Sequence, residues 1–198
     1  MKKFVSFKAL SVLFILLSFT FSIISCRDDD DKPKTNPDAL KIEDVNGDYT
    51  GKAVISKGTV NGETNVIFSA QKNIINFTEF PMKEIIASVI RDPVKAGQAL
   101  TAIGKVKYEL NYTSALNKEK KEVELTFSPK ELTLQVPIEG VSKKVVVTFV
   151  PTKKGVFTKG KTQNLNFELE ATKITIEGTA VNPYDKIKYN FPMLKKLP

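Results

Sequence analysis

The sequence predicts an all-β, mainly antiparallel fold: a nine- to ten-stranded sandwich or barrel with one short helical insertion at about 81–103. Three observations predict it. From Val45 onward, apolar and polar residues alternate with a period of two, the signature of strands buried on one face and wet on the other. Turn residues punctuate these runs at short intervals. A single stretch breaks the pattern with apolar residues at helical spacing.

The elements follow in order. Gly47-Asp48-Tyr49-Thr50-Gly51 opens the first strand, and Gly58 with Asn61-Gly62 separates it from the second. After Pro81, residues Met82, Ile85, Ile86, Val89 and Ile90 recur at helical spacing until Pro93. A further helical stretch, Val94 to Ile103, is weakened by Gly97. Val106, Tyr108, Leu110 and Tyr112 then share one strand face. Val123, Leu125 and Phe127 share the next, and Leu132, Leu134 and Val136 a third, with Ser128-Pro129-Lys130-Glu131 expected as a tight reversal between them. Val145 to Val150 is apolar on nearly both faces and is expected to be the most central strand. Leu165, Phe167 and Leu169, then Ile174 and Ile176, then Ile187, Tyr189 and Phe191 complete the set.

The amino-terminal region is of another kind. Lys2, Lys3 and Lys8 precede an apolar segment, Leu10 to Ile24, of the length of a secretory signal. Ile23-Ile24-Ser25-Cys26 closes it, followed by Arg27 and Asp28, Asp29, Asp30 and Asp31. The reading is a signal over 1–25, an acidic tether over 26–39 and a single β-rich domain over 40–198. The tether, with Pro33 and Pro37 and almost nothing apolar, lacks the surface to order itself.

Ile23-Ile24-Ser25-Cys26 resembles the lipobox of bacterial lipoproteins. The resemblance implies cleavage before Cys26 and a diacylglycerol on its thiol. The acidic patch Asp28–Asp31 resembles the pattern of Bacteroidota-type surface lipoproteins, which implies the outer membrane and its outer face. Taken whole, the chain looks like an uncharacterised Bacteroidota-type surface lipoprotein with a β-rich domain of unknown function.

Composition narrows the chemistry. Cys26 is the only cysteine and there is no histidine, so disulfides, cysteine nucleophiles, Ser-His-Asp catalysis and the common zinc sites are excluded from the folded part. Asp44-Val45-Asn46-Gly47-Asp48 fails as a calcium loop, because its glycine is two places early and Ile55 stands at the twelfth position. No cofactor or metal is expected. The formal charge of +8 falls to +5 when the three signal lysines are removed. An exported chain meets little nucleic acid, so this balance favours lipid headgroups, anionic glycan or an acidic envelope protein.

Four constellations remain. Lys143, Lys144, Lys153, Lys154, Lys159 and Lys161 fall in an acid-free stretch between Glu139 and Glu168 and are expected to gather on neighbouring turns as an anionic-ligand rim. Glu168, Glu170 and Glu177 are the carboxylates of a glycan-hydrolase alternative. Gly47-x-Tyr49 resembles the leading strand of lipocalin-like barrels; that resemblance implies an aromatic plug at one barrel end and a small apolar ligand inside. Phe80-Pro81-Met82 and Phe191-Pro192-Met193 echo each other as strand exits. The first expectation is a non-enzymatic, lipid-anchored binding or accessory module.

Overall fold

The computed structural model describes residues 39–198. Cys26 and Asp28–Asp31 lie outside the described residues, as do the signal and nearly all of the tether. A 3-10 helix, Ile42–Val45, leads into β1 (Gly47–Lys57), β2 (Val60–Gln71) and β3 (Ile74–Phe77). Two helices follow, α1 (Lys83–Val89) and α2 (Pro93–Ile103). Then come β4 (Tyr108–Leu116), β5 (Glu122–Pro129), β6 (Leu132–Ile138), β7 (Val141–Pro151), β8 (Gly155–Lys159), β9 (Gln163–Ile176), β10 (Thr179–Ala180) and β11 (Ile187–Lys196).

All strand pairs are antiparallel. The order β11-β1-β2-β3-β4-β5-β8-β9 closes on itself because β11 also pairs with β9, giving an eight-stranded barrel with β6, β7 and β10 outside the ring. Closure leaves the ring itself without an unpaired edge, while β6 remains an edge strand outside it. One end of the barrel is where the chain enters, beside the 3-10 helix; the other carries α1, α2 and the β6–β7 hairpin.

The long strand β9 joins the two parts. Its residues Gln163 to Ala171 form barrel wall, against β8 and β11. The register against β7 then shifts between Phe149↔Ala171 and Thr148↔Lys173. Such a bulge bends a strand, and the buried positions change phase from Ala171 to Ile174. Past it, β9 pairs with β7 and β10. The sequence runs at 165–169 and 174–176 are thus one strand, read as two because the bulge breaks the alternation.

Aromatic rings fill the barrel. Phe167 of β9 stacks on Phe191 of β11 at 4.3 Å and meets Phe68 of β2 at 6.0 Å and Phe127 of β5 at 5.2 Å. Phe77 of β3 reaches Phe191 at 5.7 Å. Rings from opposite walls are therefore in contact. At the helical end Phe80, Tyr108, Phe149 and Tyr189 form a second cluster, 5.0–5.9 Å apart between ring centres. Ile85 and Ile86 of α1 are buried there too. At the entry end Tyr49 is fully buried, stacks on Phe68 at 5.2 Å and donates its hydroxyl to the Val45 carbonyl at 2.6 Å. The aromatic of the Gly-x-Tyr segment does close a barrel end.

The architecture is the all-β antiparallel one expected, with eleven strands and an insertion of two helices at 83–103. α2 runs through Gly97, started by Asp92, whose carboxylate accepts from the Val94 and Lys95 amides at 2.9 and 3.1 Å, and by Pro93 in the first turn. Four local expectations are corrected. Val145 to Val150 lies in β7, next to the edge strand β6, and Val150 is 45 % exposed; β-branched residues suit any pleated strand, so their run does not by itself mean centrality. Ser128-Pro129-Lys130-Glu131 is no hairpin reversal, since β5 pairs with β8 and the segment carries the chain out of the barrel to β6. The first turn is Gly58-Thr59, and Asn61-Gly62 belong to β2. The two Phe-Pro-Met segments are not equivalent: Phe80-Pro81 leaves β3 for the helices, whereas Pro192-Met193 sits within β11 at a register shift. Lacking an N–H, proline is accommodated at such a bulge.

Candidate functional site

With the interior filled, two clefts lie on the outside of the helical end. The larger is a cleft of about 670 Å³ between the upper part of the β1–β2 hairpin and the helical insertion. Ile55, Thr64, Asn65 and Ile67 line one side, and Thr78, Met82, Leu100 and Thr101 the other. Phe80 and Met82 are nearly buried beneath it. The Glu79–Lys105 ion pair, 3.0 Å, sits in its wall. Glu63, also in the wall, is held by Lys52 at 2.8 Å. An apolar floor, hydroxyl and amide walls, and the further lining charges Lys83 and Glu84, which have no ion-pair partner among the described residues, suit contact with a polar organic ligand or peptide segment. A second cleft of about 540 Å³ separates the helices from the β6–β7 turn, with Arg91, Asp92 and Lys95 facing Pro137, Ile138 and Glu139.

Beneath the first cleft lies Tyr189. It is fully buried, its ring is 5.1 Å from that of Phe80, and its hydroxyl has no hydrogen-bonding partner among the described residues. Burial, reinforced by the Glu84 charge, pushes its pKa well above the ordinary tyrosine value. Burial does the same for Tyr108, whose hydroxyl donates to the Lys130 carbonyl at 2.9 Å. These phenols stay protonated at any physiological pH.

The six lysines of the expected rim are not brought together. They are strung along β9, which rises about 3.3 Å per residue. Lys159 and Lys161 flank its beginning, Lys153 and Lys154 lie by its middle and Lys143 and Lys144 by its end. Three of them are paired: Lys153 with Glu168 at 3.7 Å, Lys154 with Glu124 at 2.7 Å and Lys159 with Asp44 at 3.2 Å. The acid-free stretch of sequence receives its carboxylates from other strands, which a linear reading does not see.

The three glutamates are similarly occupied. Glu168 takes the Thr152 hydroxyl at 2.5 Å besides Lys153, Glu170 binds Lys186 at 2.9 Å, and Glu177 accepts the Lys144 amide. None lines either cleft. Among the described residues no three His, Cys, Asp or Glu side chains are grouped to hold a metal ion, and no helix is long and apolar enough to cross a membrane.

The cleft itself escaped the sequence reading. Its walls come from segments about 15 to 40 residues apart, and its threonines and asparagine look like ordinary solvent-facing residues. Gly62, out of place in a strand, was the one available signal.

Fold and surface together define a closed antiparallel β-barrel with a filled interior and a helix-walled external cleft. The chain matches the family described as a domain of unknown function (DUF4840) over residues 44–176, more than half of its length, and belongs to that family. The match begins at the 3-10 helix and ends with β9, so the strand β11 that closes the ring lies beyond it. No curated protein and no solved structure matches the chain.

Proposed function

We propose that this chain is a lipid-anchored lipoprotein of the bacterial cell envelope that acts as a non-catalytic binding or accessory module. The observation that carries the reading is the ring-filled barrel, which directs ligand contact to the outer surface. The cleft between the β1–β2 hairpin and the helices is the contact site. In support, the domain has no histidine or cysteine, and Glu168, Glu170 and Glu177, the carboxylates of the glycan-hydrolase alternative, are engaged by lysines, a hydroxyl or a backbone amide. The barrel architecture agrees with the lipocalin-like expectation, but rings touching across the interior occupy the space an enclosed apolar ligand needs.

In this reading Cys26 carries the lipid, Asp28–Asp31 direct the protein to the outer face of the outer membrane, and an envelope protein or glycan is the partner. Three measurements test it. Native mass spectrometry after mild extraction should show a ligand or partner on the parent chain and its loss from Leu100→Asp, with folding checked by circular dichroism. Retention by the variant would remove the cleft from the reading. Cys26→Ser should leave the membrane fraction, and protease applied to intact cells should degrade the wild-type domain. Envelope partition of the variant would remove the anchor.

A further inference from the structure

The charge of the barrel is concentrated at the end where the chain enters. The 3-10 helix, the β2–β3, β4–β5 and β8–β9 turns and the end of β11 meet there. These segments carry nine lysines and five carboxylates, +4 of the +7 that residues 39–198 hold, in about a fifth of their length. Lys159 and Lys196 turn inward to the 3-10 helix, whereas Lys41, Lys72, Lys118, Lys120, Lys161 and Lys195 are exposed and have no ion-pair partner among the described residues. Ile42 and Leu197, 39 % and 42 % exposed, add apolar side chains at the same end.

We infer that this basic end is a docking surface for an anionic lipid surface. Lysines on separate turns at one end act together on a plane of charge, and their attraction falls off within a Debye length, about 8 Å at physiological salt. Isoleucine and leucine among them suit the headgroup boundary. Lysine is a suitable residue here, because a fluid layer of headgroups asks for point charges instead of the fixed bidentate geometry that favours arginine. The chain enters the described domain at this end, thirteen residues after Cys26, so the inference rests on the anchored reading for the presence of a lipid surface. The cleft and helices would then face away from it.

The test does not need the anchor. The chain from residue 26 with Cys26→Ser, still carrying Asp28–Asp31, is sedimented with vesicles of phosphatidylcholine alone or mixed with phosphatidylglycerol. Binding is expected only to the mixed vesicles, with at least about a tenfold loss at high salt. Lys118→Glu, Lys120→Glu and Lys161→Glu together should lower it about tenfold or more. Lys107→Glu, Lys173→Glu and Lys188→Glu, the same charge change at the helical end, should leave the larger part of the binding, with circular dichroism confirming that both triple variants fold. Absence of binding, insensitivity to salt, or equal losses in the two triples would overturn the inference. So would binding of polygalacturonate but not of vesicles, which would make the surface a glycan site. Failure of the anchor shows separately, in the fractionation of Cys26→Ser cells.

Discussion

The Lys159 ammonium stands 3.2 Å from the Asp44 carboxylate, 115 residues away in the chain. It ties the β8–β9 turn to the 3-10 helix at the barrel mouth. Lys196 donates to the Asp44 carbonyl at 2.8 Å from the end of β11, so both ends of the described domain are fastened at one point. Partial burial works to raise the Asp44 pKa, but the Lys41 amide, Lys159 and Lys196 outweigh it and hold the carboxyl below its ordinary value. A carboxyl depressed in the folded state stabilises fully above its unfolded pKa, about 3.9, and loses that contribution as pH falls through the folded value. Asp44→Asn should therefore cost about 1 kcal/mol at neutral pH, and the difference from the parent should narrow at an acid pH below that unfolded value. Urea unfolding of both chains at the two pH values checks this; a gap that persists in acid would remove the charge as its cause.

The stacked pair Phe167 and Phe191 makes the strongest demand on the core. Phe167 touches rings from β2, β5 and β11, so its neighbours cannot all collapse into the space it leaves. Phe167→Ala should lose about 3–5 kcal/mol and gain the ability to bind a small apolar fluorophore. The parent should bind none inside. Uptake by the parent, quenched on adding a fatty acid, would show an open interior and revive the lipocalin-like alternative.

Two buried tyrosines should respond in opposite ways to loss of the hydroxyl. Tyr49 donates to Val45, so Tyr49→Phe leaves that carbonyl short of a partner and should cost about 1 kcal/mol. The Tyr189 hydroxyl is buried without a protein partner, so Tyr189→Phe should leave stability unchanged or raise it, since removing an unsatisfied polar group recovers its desolvation penalty. Thermal melts of the two variants side by side decide the matter. An equal loss in both would mean that Tyr189 is hydrogen-bonded.

These contrasts show where sequence reading stops. Alternation placed Tyr108, Leu110 and Tyr112, or Leu165, Phe167 and Leu169, on the buried faces they occupy, because strand period is a local property. It misjudged β7, since the burial of a valine depends on which strands flank it. It split β9 at the bulge, since an extra residue erases the pattern without ending the strand. The lysines of the expected rim are spread and partly paired for a related reason: Glu124 and Asp44, which neutralise Lys154 and Lys159, are brought to them from a distant strand and from the 3-10 helix. The basic entry end was likewise hidden, its lysines being scattered over five segments that only the closed ring brings together.

The helical insertion depends on its caps more than on its composition. α2 contains Gly97 and buries only Ala96 and Ala99, so the two amide hydrogen bonds accepted by Asp92 weigh heavily. Asp92→Ala should destabilise by about 1 kcal/mol, and Asp92→Asn, an equivalent cap, by much less. Hydrogen exchange should show the loss in the amides of α2 and not in those of β9. Uniformly faster exchange would place the effect in the whole barrel.

Gly51 marks the seam where the last strand closes on the first. It pairs with Leu194 beside the Pro192-Met193 bulge, and a β-carbon at position 51 would stand 2.7 Å from the Met193 carbonyl oxygen and 3.3 Å from the Leu194 α-carbon. Both are backbone atoms held in the ladder, so they yield only by moving β11. Gly51→Ala should therefore cost about 1–3 kcal/mol through overpacking. Gly62, in the neighbouring strand, has nothing within 4 Å of the same position, and Gly62→Ala should be neutral or slightly stabilising because it restricts the unfolded chain. The pair separates crowding from a general dislike of alanine in these strands. Equal effects in chemical denaturation would mean that β11 is not held against Gly51, and the ring would not be closed there.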